Sequence, residues 1–117
     1  MTTPATILVE KMCSEQTLKD IQELLSIAVN SKDGIGRRAR CWSTRVCAFA
    51  GTSQLDMNKE GMVEYKISCC GYFPAESPMF TCYVGMRKKG QPASGGGMMA
   101  PVFSNIVNEI MGNNKSY

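Results

Sequence analysis

A chain of 117 residues with 44% apolar side chains can bury one core and is too short for two, so residues 1–117 read as a single domain. Its net charge of +3 is mild, and the basic residues gather at Arg37, Arg38, Arg40 and Arg45 and at Arg87, Lys88 and Lys89, not on the broad face that a nucleic acid requires. No window approaches the roughly 20 apolar residues of a membrane span, and the N-terminal Met-Thr-Thr-Pro-Ala lacks the basic-then-apolar pattern of an export signal; the chain as given is expected in the cytoplasm.

After an extended piece at residues 6–10, Ser14 is placed to cap a helix over residues 15–30, with Glu15 in the first turn where it complements the helix dipole. Leu18, Ile21, Leu24, Leu25 and Ala28 follow the three-and-four spacing of one buried face. The polar, glycine-containing run at residues 30–36 ends the helix and opens a basic connection.

Residues 45–50 read as a largely buried first strand, and the polar residues between Asp56 and Gly61 suit a hairpin loop. Residues 62–73 form the second strand, where Val63, Tyr65 and Ile67 alternate with Glu64, Lys66 and Ser68. Pro74 and Pro78 bracket a turn, since neither fits inside a central strand. In the third strand, residues 79–87, Phe80, Cys82, Val84 and Met86 share one face and Thr81, Tyr83, Gly85 and Arg87 the other.

A glycine-rich connection over residues 88–97 leads to Pro101, which is tolerated in a first helical turn. Val102, Phe103, Ile106, Val107, Ile110 and Met111 make the apolar stripe of a last helix that Gly112 can terminate, and residues 113–117 read as a frayed polar tail. The expectation is an α+β domain of order α-β-β-β-α, a three-stranded antiparallel meander covered by two amphipathic helices.

Six cysteines, at positions 13, 41, 47, 69, 70 and 82, include no C-x-x-C pair, and the chain has no histidine, so no metal ligand set and no cofactor are expected. Cys69 and Cys70 are neighbours in a strand and point to opposite faces, which suits buried free thiols in a reducing compartment. Trp42 and Tyr72 read as core or rim packing. The Gly95-Gly96-Gly97 run lacks the lysine and hydroxyl of a phosphate loop and reads as a flexible connection.

Chemistry is suggested by Val46-Cys47-Ala48-Phe49-Ala50-Gly51-Thr52-Ser53-Gln54. Taken alone, residues 51–54 are a strand exit with polar turn residues. In sequence with the rest, the segment resembles the third motif of penicillin-binding transpeptidases, Lys-Thr-Gly followed by Thr, a small residue and Gln. Cys70-Gly71-Tyr72-Phe73-Pro74-Ala75 is similar to the Gly-Tyr-Phe-Pro-Ala strand and turn of the class B members. Gly95-Gly96-Gly97-Met98-Met99-Ala100-Pro101-Val102-Phe103 is similar to the Gly-Gly-x-Val-Ala-Ala-Pro-Val-Phe that opens their last helix. Residues 10–14 fit the segment leading toward the third motif, and the four pieces occur in the family's order over nearly the whole chain.

The resemblance therefore implies the C-terminal part of a class B transpeptidase domain, of a family that works on peptidoglycan in the periplasm. It implies a nucleophilic serine in Ser-x-x-Lys and a Ser-x-Asn partner, and neither pattern occurs in these residues. It makes Gly51 and Thr52 vestigial substrate-binding residues: the Thr52 hydroxyl would hold the substrate carboxylate and its N–H would be the second oxyanion donor. Phe49 stands where the motif lysine belongs and Ala50 where its first hydroxyl belongs. With each lost charge-assisted contact worth about 1.5 to 3 kcal/mol, binding of a β-lactam should be weak or absent. A buried Phe49 ring is expected to keep the strand for packing, and a sheet edge left bare is expected to bind a protein partner or a second copy.

Overall fold

The computed structural model describes residues 4–57, 61, 63–90 and 92–112. The expected loop at residues 58–60, the start of the second strand at Met62 and the polar tail at 113–117 lie outside the described residues. Helix α1 (Glu15–Asn30) is followed by a 3-10 turn (Arg37–Ala39), strands β1 (Cys47–Met57), β2 (Val63–Phe73) and β3 (Phe80–Lys89), a π-helical segment (Gly95–Met99) and helix α2 (Ala100–Gly112). The sheet has the order β1-β2-β3 with both pairings antiparallel, and the helices lie on either side of it. This is the α+β meander that the apolar periodicities imply.

Helix α1 begins where Ser14 accepts the Thr17 N–H at 3.1 Å. Its end is held from a distance. Arg40 donates from Nε to the Val29 carbonyl at 2.8 Å and from Nη2 to the Ser31 carbonyl at 2.6 Å, satisfying acceptors that a helix C-terminus leaves open. Arg40 is thus a structural donor, and not a solvated member of a basic loop.

Residues 51–54 do not leave the sheet. They pair with residues 65–68 and continue β1 to a bulge between Gln54 and Met57, so the strand is longer than the apolar run at 45–50. Polar residues extend it because one edge of β1 is fully bonded to β2 whatever its side chains are. β3 likewise runs on to Lys89, where Glu64 on β2 meets Arg87 with Oε2 to Nη2 at 2.6 Å. Residues 95–97, expected as flexible connection, belong to a helical segment, Gly95–Met99, that is continuous with α2, with the Ser94 hydroxyl accepting the Gly97 N–H at 2.9 Å.

The core lies between the sheet and α2. Val46 just before β1, Ala48 from β1 and Ile67, Cys69 and Phe73 from β2 meet Ala100, Phe103 and Val107, all fully buried. Strand alternation puts Gly71 on this same face, where a Cβ would strike the Cys47 carbonyl and lie 2.8 Å from the Phe103 ring tip. Glycine there lets α2 seat its phenyl ring on the backbone. Phe73 stacks on Phe80 at 5.4 Å between centroids, just before the cis Phe73–Pro74 bond that opens the proline turn.

The other helix is covered differently from what its pattern implies. Only Val29 of α1 is fully buried; Leu18, Ile21 and Leu24 are exposed, Leu24 at 65%, while Leu25 and Ala28 are half-buried. The periodicity marks a face made for burial, and the described residues cover only its C-terminal end.

The six cysteines are unbonded thiols; Cys47 and Cys69 are buried and Cys70 is exposed, as the opposite faces of neighbouring strand positions require. Burial first, and then the Cys70, Cys82 and Cys41 thiols, push the Cys69 thiol up from 9.0 to about 11. The folded chain holds this proton more tightly than the unfolded chain does, so the stabilisation is complete below pH 9 and is lost as pH rises through about 11. Urea midpoints should fall across that window, and the fall should be smaller in Cys69→Ala. The Tyr72 hydroxyl is buried with no hydrogen-bond partner among the described residues. Burial, and then the Cys47 thiol beside it, raise its ionisation out of the usual range. Tyr72→Phe removes that stranded group and should raise urea stability by about 1 to 2 kcal/mol.

Candidate functional site

The four positions singled out by the sequence are consecutive in β1, and the pleat divides them between two faces. Phe49 and Gly51 face away from α2; Ala50 and Thr52 face the side on which α2 and the π-helical segment lie. Phe49 is 55% exposed, which overturns the expectation of a buried ring. Its cross-strand neighbour is the exposed Cys70, and Tyr83 on β3 is next along the row. Ala50 is half-buried opposite Cys69, and Thr52 is exposed opposite Ile67.

The Thr52 hydroxyl is already engaged. It accepts the Gly95 N–H at 2.9 Å, so one lone pair is occupied while the hydroxyl keeps its proton to donate. Gly95 is buried, and its α-carbon sits so close to the strand that a Cβ would collide with the Gly51 carbonyl and lie 2.7 Å from the Ser68 carbonyl. Glycine is required at 95 by this approach and not by an unusual φ. The triple-glycine run was the available signal for it, although it reads on its own as a loop.

Next to this contact the 3-10 turn closes on the π-helical segment. Ile35, Arg37, Arg38, Ser94, Gly96 and Gly97 line an open cavity of about 280 Å³. In the sequence the arginines and the glycines belong to two separate connections. Arg37 donates from Nη1 to the Gly34 carbonyl at 3.3 Å, which ties that guanidinium to its own turn.

The chemistry open to this arrangement is narrow. Thr52 can donate one hydrogen bond to an anionic oxygen, and the chain has no histidine to act as base. The Cys69 thiol on the facing strand is raised to about 11 by burial, which keeps it a neutral side chain near pH 7. Among the described residues no group of three or more His, Cys, Asp and Glu side chains is arranged to hold a metal ion.

Against known proteins, the family model for the penicillin binding protein transpeptidase domain matches residues 2–108. No curated protein sequence matches the chain. Among solved structures, the apo transpeptidase domain of penicillin-binding protein 3 from Burkholderia pseudomallei superposes with a TM-score of 0.69 at 24% identity, covering 86% of this chain and 30% of that one. A peptidoglycan synthetase from Bifidobacterium adolescentis superposes with a TM-score of 0.64 at 16% identity, covering 83% of this chain and 17% of that one. The chain therefore shares their fold and spans less than a third of either chain's length.

The Gly95 contact makes two substitutions informative. Gly95→Ala should lower stability by more than about 3 kcal/mol, since backbone and not a mobile side chain stands in the way. Thr52→Val leaves the buried Gly95 N–H without its acceptor and should lower it by about 1 to 2 kcal/mol. Thermal denaturation of both variants checks the order.

Proposed function

Because the chain belongs to the penicillin-binding protein transpeptidase domain family, we propose that it is a transpeptidase-like module that carries out no acyl transfer itself and acts by binding protein through an unpaired sheet edge. The observation that carries this reading is the state of the third motif in β1. Phe49 presents an exposed ring where the family's lysine would place a charge, Ala50 presents a methyl where a hydroxyl would stand, and Thr52 has spent one lone pair on Gly95.

In the reaction that the family resemblance implies, a serine attacks the terminal D-Ala-D-Ala carbonyl. A lysine manages the serine proton, and backbone donors hold the oxyanion. Within these 117 residues there is no Ser-x-x-Lys and no Ser-x-Asn, so the chain as given has no group in the attacking role. Thr52 retains its backbone N–H and hydroxyl proton, enough for weak contact with a carboxylate. Noncovalent β-lactam affinity should then fall by at least tenfold relative to a motif with both lost contacts, at about 1.5 to 3 kcal/mol each. Among the described residues no helix is long and apolar enough to cross a membrane.

The partial coverage of both solved structures favours one competing reading, in which upstream residues supply the nucleophile to this C-terminal portion of a peptidoglycan D,D-transpeptidase. Incubation with a penicillin followed by intact mass measurement separates the two. The proposal expects an unchanged mass, and amide shifts at residues 51–54 only at millimolar ligand. In the double variant Phe49→Lys, Ala50→Thr those shifts should appear at lower concentration, again without a covalent adduct. A mass increase by one penicillin in the native chain would sink the inactive reading.

A further inference from the structure

We propose that the open cavity between Trp42 and the C-terminal end of α2 binds an organic ammonium ion, with the indole face and the Glu109 carboxylate as its recognition groups. This goes beyond the reading above and does not depend on the third motif or on a sheet edge.

The segment before β1 is laced to α2 turn by turn. The Arg40 carbonyl accepts the Ser104 hydroxyl at 2.5 Å, and the Cys41 thiol lies 3.8 Å from the Ser104 carbonyl. Ser43 donates from its N–H and its hydroxyl to Asn108 Oδ1, at 3.2 and 2.7 Å. Trp42 is thereby delivered to the next turn of the helix, at Gly112. A Cβ at 112 would lie 2.7 Å from Cη2 and 3.0 Å from Cζ2 of the indole, so glycine there makes room for the ring. The seat fixes the indole without burying it, since Trp42 remains 69% exposed. Holding a large side chain in place costs rotamer freedom, and little burial offsets that cost here. Such a ring is preorganised for contact.

Asn105, Asn108, Glu109 and Gly112 recur at three, four and seven residues along α2 and so share one face of it. With Trp42 they line a cavity of about 350 Å³, at the small end of the range for ligand sites.

The charge of this surface selects the ligand. Glu109 is exposed in the last turn of α2, a turn that contains no basic residue. The same end of the helix carries the negative pole of its dipole, and the face of an indole is the negative part of its quadrupole. Three negative contributions therefore converge on the cavity, and none of its lining residues is a cation, although the chain as a whole carries +3. An anion is repelled there, and a neutral molecule gains stacking alone. A metal cation gains little, because one carboxylate does not replace its hydration shell. An alkylated ammonium gains from both groups: its charge faces Glu109, and its C–H surface lies on the indole.

Trp42 is the single tryptophan of the chain, so its fluorescence reports on the cavity directly. The test titrates the full chain with choline and with 3,3-dimethylbutan-1-ol, the neutral isostere of choline, at constant ionic strength. Trp42 emission and the amide shifts of residues 105, 109 and 112 are followed together. The expected result is saturation by choline at millimolar concentration and a response to the isostere about tenfold weaker. Glu109→Gln should weaken choline binding about threefold to fivefold, as for an exposed ionic contact, whereas Glu23→Gln on α1 should leave it unchanged. Trp42→Leu should abolish the amide shifts; circular dichroism verifies folding, and Glu109→Gln carries the test if Trp42→Leu does not fold. Equal response to the two compounds, choline binding as tight in Glu109→Gln as in the native chain, or no saturation by choline at tens of millimolar overturns the proposal.

Discussion

Gly95 against β1 is the contact on which the arrangement of the C-terminal half depends. The glycine α-carbon lies between the Gly51 and Ser68 carbonyls, closer than any side chain permits, and its N–H is bonded to Thr52. That fixes where the π-helical segment begins, hence where α2 starts and which of its residues meet the sheet. Phe103 then lands over Gly71, a second bare position, and the core closes around the ring. Two glycines thus locate the last helix along and across the sheet. The same contact limits what the Thr52 hydroxyl can bind, since Thr52 is held by the fold that it helps to build.

Much of this was legible in the sequence because the signals were periodic. The bounds of α1 follow from Ser14 and from the polar run after residue 30, and the faces of β2 and β3 follow from alternation. Cys69 and Cys70 separated as neighbours in a strand must. What stayed hidden was what depends on partners distant in sequence. Polar residues at 51–54 look like an exit, yet backbone bonding to β2 keeps them in the sheet. The glycine run looks flexible until the strand that demands it is in place. Arg40 looks like one cation among several until its bonds to Val29 and Ser31, 11 and 9 residues earlier, are seen.

The candidate site divides in the same way. Thr52 and Gly51 are singled out by their neighbours in a familiar order of motifs; the strand makes them consecutive and sends them to opposite faces. Apolar character at position 49 implies packing, whereas the ring lies on a sheet face that α2 does not cover and is exposed. The exposed stripe of α1 carries the same lesson: a helix can have a pattern made for burial while the described residues supply only part of its cover.

Residue 40 has a further consequence. Its side chain holds the last turn of α1, and its carbonyl accepts the Ser104 hydroxyl of α2, so a single residue is bonded to both helix layers on either side of the sheet. The path between the helices bypasses the strands. The two helices are thereby tied to one connecting segment by bonds that do not depend on the pairing of the strands.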